Sequence, residues 1–484
     1  MKWEQVIYDF ITYTIFIYSV TLLLFYLMIA FFSTADARFY IKRNSFTDYK
    51  TLVSSQHVPS ISLLAPAYNE GATIIENVRS LLSVYYSNLE VVIINDGSKD
   101  DTLDKLISAY DLVKVDYFVT YQIPSKKVRG VYKSRNPVYR RLVIVDKMNG
   151  GKADALNVGV NIASNDYIVC IDVDCVLEQD ALLKLIKPFM EETKVKVIAT
   201  GGVIRVANSC VIEHGRLLKV NMPEEYLPRM QVLEYIRAFL LGRMAWSRLN
   251  GLLLISGAFG LFRRDVAMMA GGYSTQTVGE DMELVVRMRV YMHERNLPYK
   301  VVYIPDPLCW TEAPATFKVL GRQRNRWARG TFETLKTHKK MFLNPRYGLM
   351  GMLSYPFWFF FEWLTPFVEV TGILFFGIQV AFGLVDSSFF LASLLALYSF
   401  SFTLSMYALF AEEYSFYRYT KKRDISKMIL TALLEPVYFH PRTVYWSLKG
   451  NLDLLKGKKS WGDMTRAGFT QSAESEVTKP VVAP

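Results

Sequence analysis

Asp166-Tyr-Ile-Val-Cys-Ile-Asp172-Val-Asp174-Cys175 is the stretch on which the reading of this chain turns. Ile168, Val169, Cys170 and Ile171 form a short apolar run bounded by polar residues, which reads as a buried strand. Asp172 and Asp174 follow at its end. Residues two apart on an extended chain point to the same side, so both carboxylates face one space. Ligands of open α/β sheets bind at such carboxyl ends. Two carboxylates placed there can hold Mg²⁺ or Mn²⁺, which in turn can hold a diphosphate. By itself an Asp-x-Asp reads more readily as a solvated turn, so the neighbouring stretches decide.

Working outward, strands and helices alternate from residue 58 to about residue 340. Ser60-Ile-Ser-Leu-Leu-Ala-Pro66 and Leu89-Glu-Val-Val-Ile-Ile94 read as strands, each followed by a helix, at Thr73 to Val84 and Thr102 to Tyr110. Arg141 to Asp146 is a further strand and Lys152 to Ala163 a further helix. This alternation predicts an α/β domain with a mostly parallel, Rossmann-like sheet and helices on both faces. The basic segment from Tyr117 to Arg140 reads as a solvated surface hairpin or loop in preference to a phosphate site, because charge runs usually mark solvated faces. Leu227 to Trp246, apolar with Arg229, Arg237 and Arg243 interspersed, fits a helix against the membrane and an ordinary core helix equally well.

Both ends of the chain turn apolar. After a tail over 1–10, residues 11–32 carry no charge, and about 20 such residues span a bilayer as a helix. Arg38, Lys42 and Arg43 in the following linker, 33–57, place that side in the cytoplasm. Residues 346–361, rich in Trp and Phe and interrupted by Pro356, read as interfacial. Residues 363–384 and 389–411 read as two further spans. The segment 425–455, broken by Glu435, Pro436, His440 and Pro441, reads as a broken interfacial, re-entrant or transmembrane piece. Residues 471–484 are polar, small and proline-containing, and are expected to be disordered. The first apolar segment is too long for the core of a cleavable signal peptide. The whole is expected to be an integral plasma (inner) membrane protein with its middle domain in the cytoplasm.

Composition agrees with this layout. Of the 484 residues 51% are hydrophobic and 14% aromatic, high for a soluble chain, and the excess lies near the ends. The net charge of +11 fits basic loops beside an anionic leaflet and a phosphate-bearing ligand. Nucleic acid is excluded as the partner, since no nucleic-acid-binding motif is present. The four cysteines lack disulfide or metal spacing and fit a reducing compartment.

Five further stretches accompany the two aspartates. Pro66-Ala-Tyr-Asn-Glu70 and Asn95-Asp96-Gly97-Ser98 close the first two strands. Lys147-Met-Asn-Gly-Gly-Lys152 opens a helix. Thr277-Val-Gly-Glu280-Asp281 lies downstream, and Gln323-Arg-Asn-Arg326-Trp327 precedes the membrane segments. Each alone has a bland reading as a turn, a helix N-terminus or an interface anchor. Together, in this order, the set resembles the family 2 glycosyltransferases of GT-A fold. It is more similar still to their membrane-integrated branch of cellulose, chitin, hyaluronan and poly-N-acetylglucosamine synthases. The chain departs from that pattern at Gly279, where Thr is familiar.

The resemblance implies an inverting, metal-dependent hexosyltransferase. It would use a UDP-sugar, UDP-N-acetylglucosamine ahead of UDP-glucose, and extend a β-linked polysaccharide at the cytoplasmic face, with export through the membrane helices. It implies a Mg²⁺ or Mn²⁺ ion on Asp172 and Asp174. It places Ala67, Glu70, Asp96, Lys152, Asp172 and Arg326 around the nucleotide sugar. It makes Asp281 the base, with Glu280 beside it, and puts Gln323, Trp327 and Gly257 at the acceptor, Gly257 at the start of a strand through Phe262. Membrane lipids and a small accessory membrane subunit are the implied partners. The alternatives are single transfer to a lipid carrier, which lacks a use for Gln323 to Trp327, and a nucleotide-binding pseudo-enzyme. Retention of Asp172, Asp174 and Asp281 argues against the latter.

Overall fold

The computed structural model describes residues 3–457 apart from 56, 214, 385–386, 417–418 and 420; the expected tail at 471–484 lies outside them. Twelve strands form: β1 (Ile61–Ala67), β2 (Leu89–Asn95), β3 (Leu112–Val115), β4 (Val128–Ser134), β5 (Leu142–Lys147), β6 (Tyr167–Ile171), β7 (Val176–Leu177), β8 (Lys196–Val206), β9 (Val211–Glu213), β10 (Arg216–Lys219), β11 (Phe259–Arg263) and β12 (Tyr299–Thr311). Ten of them make one sheet in the order β3-β4-β5-β2-β1-β6-β11-β8-β12-β7. β5, β2, β1 and β6 run parallel, so their apolar runs are buried on both faces. The sheet is mixed because β4 and β11 join this centre antiparallel on its two sides. Part of the basic segment Tyr117 to Arg140 is thus β4, a paired member of the main sheet. Main-chain pairing with β5 overrides its charged composition, and Arg129 meets Asp146 at 2.5 Å.

The sheet's parallel strands all end at one edge. Ala67 stands opposite Asn95, and Asn95 opposite Asp146. That edge carries the loops in which the sequence motifs lie.

Ten helical elements matter here: α1 (Trp3–Asn44), α2 (Lys152–Ile162), α3 (Ala181–Met190), α4 (226–248), α5 (Glu280–Glu294), α6 (Phe317–Thr337), α7 (Thr365–Ala381), α8 (Ser387–Phe416), α9 (Lys422–Tyr438) and α10 (His440–Leu455). Residues 3–10 of the expected tail and much of the linker over 33–57 are helix, because α1 continues in both directions. Its last turns leave the apolar stretch and dock on the α/β domain. Tyr40 hydrogen-bonds Asp306, which Lys184 of α3 also meets at 2.9 Å. Lys187 of α3 binds Asn44, and reaches Thr47 Oγ1 at 2.6 Å. Arg43 pairs with Glu191. The basic end of α1 and the α/β domain therefore lie on the same side.

α1 and α8 are long and apolar enough to cross a membrane, and only 6% of either hydrophobic window is buried in the protein. So little burial leaves these side chains for lipid. The helical stretch from Met350 to Trp363 and α7 form a third candidate span, bent by 48° at Leu364. The segment 425–455 is two helices, α9 and α10, that break at Phe439. Pro436 stands inside α9, and Pro441 falls in the first turn of α10, where a missing N–H costs nothing. α10 packs lengthwise on α6. Asn325 Nδ2 donates to Asp453 Oδ2 at 2.9 Å, and Gly450 sits on the Asn325 carbonyl. Neither α9 nor α10 meets the length and hydropathy of a span.

α4, whose middle turns are π-helical, is buried along most of its length and joins the domain to the membrane helices. Arg237 clamps Glu435 of α9 with two bonds of 2.9 and 2.8 Å and Ser405 of α8 at 2.8 Å. A second junction pairs Arg205, at the end of β8, with Glu412 of α8; their side chains are 1% and 2% exposed. Arg205→Leu would leave the Glu412 carboxylate buried without this cation and is expected to cost about 3 to 5 kcal/mol. Thermal unfolding in detergent measures this. The Arg205→Leu, Glu412→Leu double variant should recover most of the loss, and an unchanged midpoint in the single variant would contradict the assignment.

Candidate active site

The edge loops are tied to one another before any ligand enters. Asp96 N–H donates to the Ala67 carbonyl at 2.9 Å, which joins the loop after β2 to the loop after β1. Asn69, in the left-handed region at φ 55°, accepts from Lys99 N–H at 2.8 Å and donates its own N–H to Ser98 Oγ at 3.0 Å. Glu70 N–H reaches Thr102 Oγ1 at 3.0 Å. Ala67 thus lies beside Asp96, while the Glu70 backbone is tied to the first turn of the helix after β2.

Asp96 is 3% exposed, and its carboxylate is already engaged. Gly150 and Gly151 donate backbone N–H groups to its two oxygens at 2.9 and 2.7 Å, and Lys147 adds a buried ion pair. Lys147 is fully buried and also meets Asp154 at 2.7 Å. Gly151 holds φ 87°, which glycine alone adopts without strain, and it is the last residue before α2. Asp96 therefore shapes the glycine turn that presents Lys152. Sequence reasoning missed this use of Asp96 and the role of Lys147. The available signal was a lysine closing a strand whose other residues are all buried.

Lys152, Asp172, Gly257 and Asp281 converge. Lys152 Nζ pairs with Asp172 and donates to the Gly257 carbonyl at 3.2 Å. The Gly257 N–H donates to Asp281 Oδ2 at 2.8 Å. Through its N–H and its carbonyl, Gly257 thus bridges Lys152, the partner of Asp172, and the start of α5. A Cβ on Gly257 would stand 3.3 Å from both Asp281 Oδ2 and Lys152 Nζ. Gly257 itself lies in a turn, not in a strand as expected: Phe259 N–H closes onto the Ser256 carbonyl at 3.1 Å, and β11 begins only at Phe259.

Asp174 is 9% exposed and lies deeper than Asp172. Asp172 and Asp174 are hard oxygen donors that suit Mg²⁺ or Mn²⁺. No group of three or more His, Cys, Asp or Glu is gathered as a metal cage among the described residues. Two carboxylates without a cage fit an ion that keeps water and takes its remaining ligands from substrate phosphates.

Glu280 and Asp281 open α5. Glu280 is 3% exposed, and burial pushes its carboxyl up to about 7, against the pull of Lys152; Asp281 adds to the rise. Burial opposes the charge of Lys152, yet Asp172 and Glu280 outweigh it and hold the ammonium above the ordinary lysine range. Arg326 acts electrostatically on both groups, so α6 brings its cation to the same site. Trp327 is 42% exposed, with the Arg324 guanidinium 4.1 Å over its ring, and Arg324 in turn binds Glu234 at 2.5 Å. Gln323 lies half-buried on the same helix.

The raised Glu280 carboxyl sets a pH dependence. A folded-state value of about 7 against the ordinary 4.5 means that the protonated group favours the folded state. That contribution is complete below 4.5 and is lost as pH rises to about 7. It amounts to at most about 3 kcal/mol. Glu280→Gln should flatten the pH dependence of the unfolding midpoint across this window. An unchanged slope would argue against the shift.

The parallel centre, the antiparallel β11 beside β6 and the Asp-x-Asp at the sheet edge define a GT-A fold. The family model described as glycosyltransferase like family 2 matches residues 59–330. The chain belongs to that family. It is 30% identical over 299 residues to a poly-β-1,6-N-acetyl-D-glucosamine synthase of Staphylococcus epidermidis, a match covering 61% of each chain. A synthase of the same name from Staphylococcus aureus is 30% identical over 310 residues, covering 63% of this chain and 61% of the relative. The chain therefore matches less than two thirds of the length of these curated relatives. Among solved structures, the mannosyltransferase PcManGT from Pyrobaculum calidifontis, in complex with GDP-Man and Mn²⁺, superposes with a TM-score of 0.51 at 16% identity. That match covers 89% of this chain and 99% of the other, and it supports the fold.

Proposed function

We propose that the protein is a membrane-embedded, processive β-glycosyltransferase. It moves a sugar from a UDP-sugar, UDP-N-acetylglucosamine before UDP-glucose, to the growing end of a β-linked polysaccharide on the cytoplasmic side. The observation that supports the reading is the chain of contacts Asp172–Lys152–Gly257–Asp281, which links the Asp-x-Asp stretch to the candidate base. The names of the Staphylococcus relatives support the polymer and the choice of sugar.

Asp172 and Asp174 would hold the Mg²⁺ or Mn²⁺ ion, which when bound neutralises charge on the departing diphosphate. Lys152, at the N-terminus of α2, and Arg326 of α6 face the phosphates, and fixed cations in a partly buried site need no reorganisation as charge develops. Asp281 takes the proton from the acceptor hydroxyl. Its Oδ2 is held by Gly257 N–H and its Oδ1 by Met282 N–H at 2.8 Å, so its orientation is set before the acceptor arrives. A single displacement inverts the anomeric centre, and an α-linked donor gives a β-linkage. Trp327 offers a ring face to the acceptor sugar, and Gln323 lies one turn before it. Ala67, Glu70 and the loop held by Asp96 receive the nucleoside. α1, α8 and the bent pair ending in α7 would carry the product outward, beside membrane lipids and a small accessory membrane subunit.

The test is UDP release by the detergent-solubilised protein with Mg²⁺ or Mn²⁺ across a panel of UDP-sugars, followed by sizing of the product. One preferred donor and a polymer are expected. A single-sugar product extractable into organic solvent would replace this reading with transfer to a lipid carrier.

A further inference from the structure

The loop that delivers Asp281 is held at both ends by side chains outside the motifs. At its start, Asn157 of α2 clamps Tyr273: its Nδ2 donates to the Tyr273 carbonyl at 2.8 Å and its Oδ1 accepts the Tyr273 N–H at 2.7 Å. At its end the partner is Glu333 of α6. Glu333 Oε2 accepts from Thr277 Oγ1 at 2.8 Å and from Val278 N–H at 2.9 Å. Thr277 Oγ1 also receives the Gly279 N–H at 3.1 Å. Arg329, one turn before Glu333, acts on the same carboxylate electrostatically.

The backbones meet directly between these contacts. A Cβ on Gly279 would stand 2.8 Å from Gly330 Cα, and one on Gly330 would stand 2.7 Å from Gly279 Cα. This explains why glycine stands where the family pattern has threonine: the facing turn of α6 leaves no room for a side chain. Arg326, Gly330 and Glu333 are spaced i, i+4, i+7 and so share one face of α6. The face that carries the phosphate-side cation also grips the loop that opens α5.

We infer that Glu333 is a positioning residue for Asp281, locking the loop at 277–279 onto α6 so that the base and Arg326 move as one body. The inference rests on Asp281 being the base. Both bonds from the loop land on one oxygen of Glu333. The requirement is therefore an acceptor at full side-chain reach, and the negative charge is secondary.

The test measures kcat and donor KM for sugar transfer in Glu333→Ala, Glu333→Asp, Glu333→Gln and Thr277→Val. Displacing a catalytic group by about 1 Å costs up to about 100-fold in rate. Glu333→Ala and Glu333→Asp, which is one methylene short, should lower kcat about 10- to 100-fold with donor KM nearly unchanged. Glu333→Gln keeps the acceptor oxygen, loses the charge-assisted part of the bonds and the attraction to Arg329, and should return kcat to within about threefold of wild type. Thr277→Val should fall between. Glu333→Asp and Thr277→Val keep the test open if Glu333→Ala does not fold. Wild-type kcat in Glu333→Asp, a loss confined to KM, or Glu333→Gln as impaired as Glu333→Ala would each overturn the inference. Asp281→Asn run alongside separates the two claims. An active Asp281→Asn removes the base itself, whereas a dead Asp281→Asn beside unaffected Glu333 variants removes only the positioning role.

Discussion

Asp281→Asn is expected to cut sugar transfer by about 10²- to 10⁴-fold while donor binding persists. The carboxylate sits in the first turn of α5 and receives two backbone N–H groups, from Gly257 and Met282. An amide can still accept one of them. It cannot take a proton from an acceptor hydroxyl, and its NH₂ end would face one of the two donors. Rate is therefore lost through chemistry, with a small local strain added. Nucleotide binding measured in parallel should change little if Asp281 acts as the proposed base, because the amide keeps the size of the side chain. A variant that transfers sugar at near the wild-type rate would remove Asp281 from the reaction.

Asp174→Asn is the second large effect, and it is a cleaner probe of the metal than Asp172→Asn. Asp172 also pairs with Lys152, so replacing it disturbs the cation as well. Asp174 lies deeper, at 9% exposure. Removing one of two carboxylates should weaken ion binding and lower transfer about 10²- to 10³-fold, the scale of the several kcal/mol that a metal contributes. The readout is rate against Mn²⁺ concentration. The variant should need more metal and recover only part of its rate at saturation. A metal dependence identical to wild type would show that Asp174 is not a ligand.

The GT-A placement was open to the sequence for a local reason. Ile168 to Ile171 are apolar and end in carboxylates, so the chain itself marks where a buried strand meets solvent. The same logic holds for β1, β2 and β5, and their parallel pairing puts every such end on one edge. The apolar stretches in α1 and α8 are likewise a composition signal, legible without a partner. Expectations drifted where a local rule met a tertiary one. The basic segment before Arg140 joined the sheet because β5 offered an unpaired edge. α1 continued past its apolar stretch because Asp306, Lys187 and Glu191 met its polar end.

By itself, then, the sequence determined the class of domain, the strand ends that bear Asp96, Asp172 and Asp174, and the apolar stretches that meet lipid. These follow from periodicity and from the cost of burying charge, both local properties of the chain. The tertiary structure decided that Asp96 and Lys147 build the glycine turn, that Gly257 joins Lys152 to Asp281 through its carbonyl and its N–H, and that Gly330 and Glu333 hold the loop that leads into Asp281. Lys147 and Asp96 are 51 positions apart, and Thr277 and Glu333 are 56 apart. Contacts at such separations leave no period in the sequence; they exist only once packing has brought the elements together, where unpaired buried polar groups are too costly to leave.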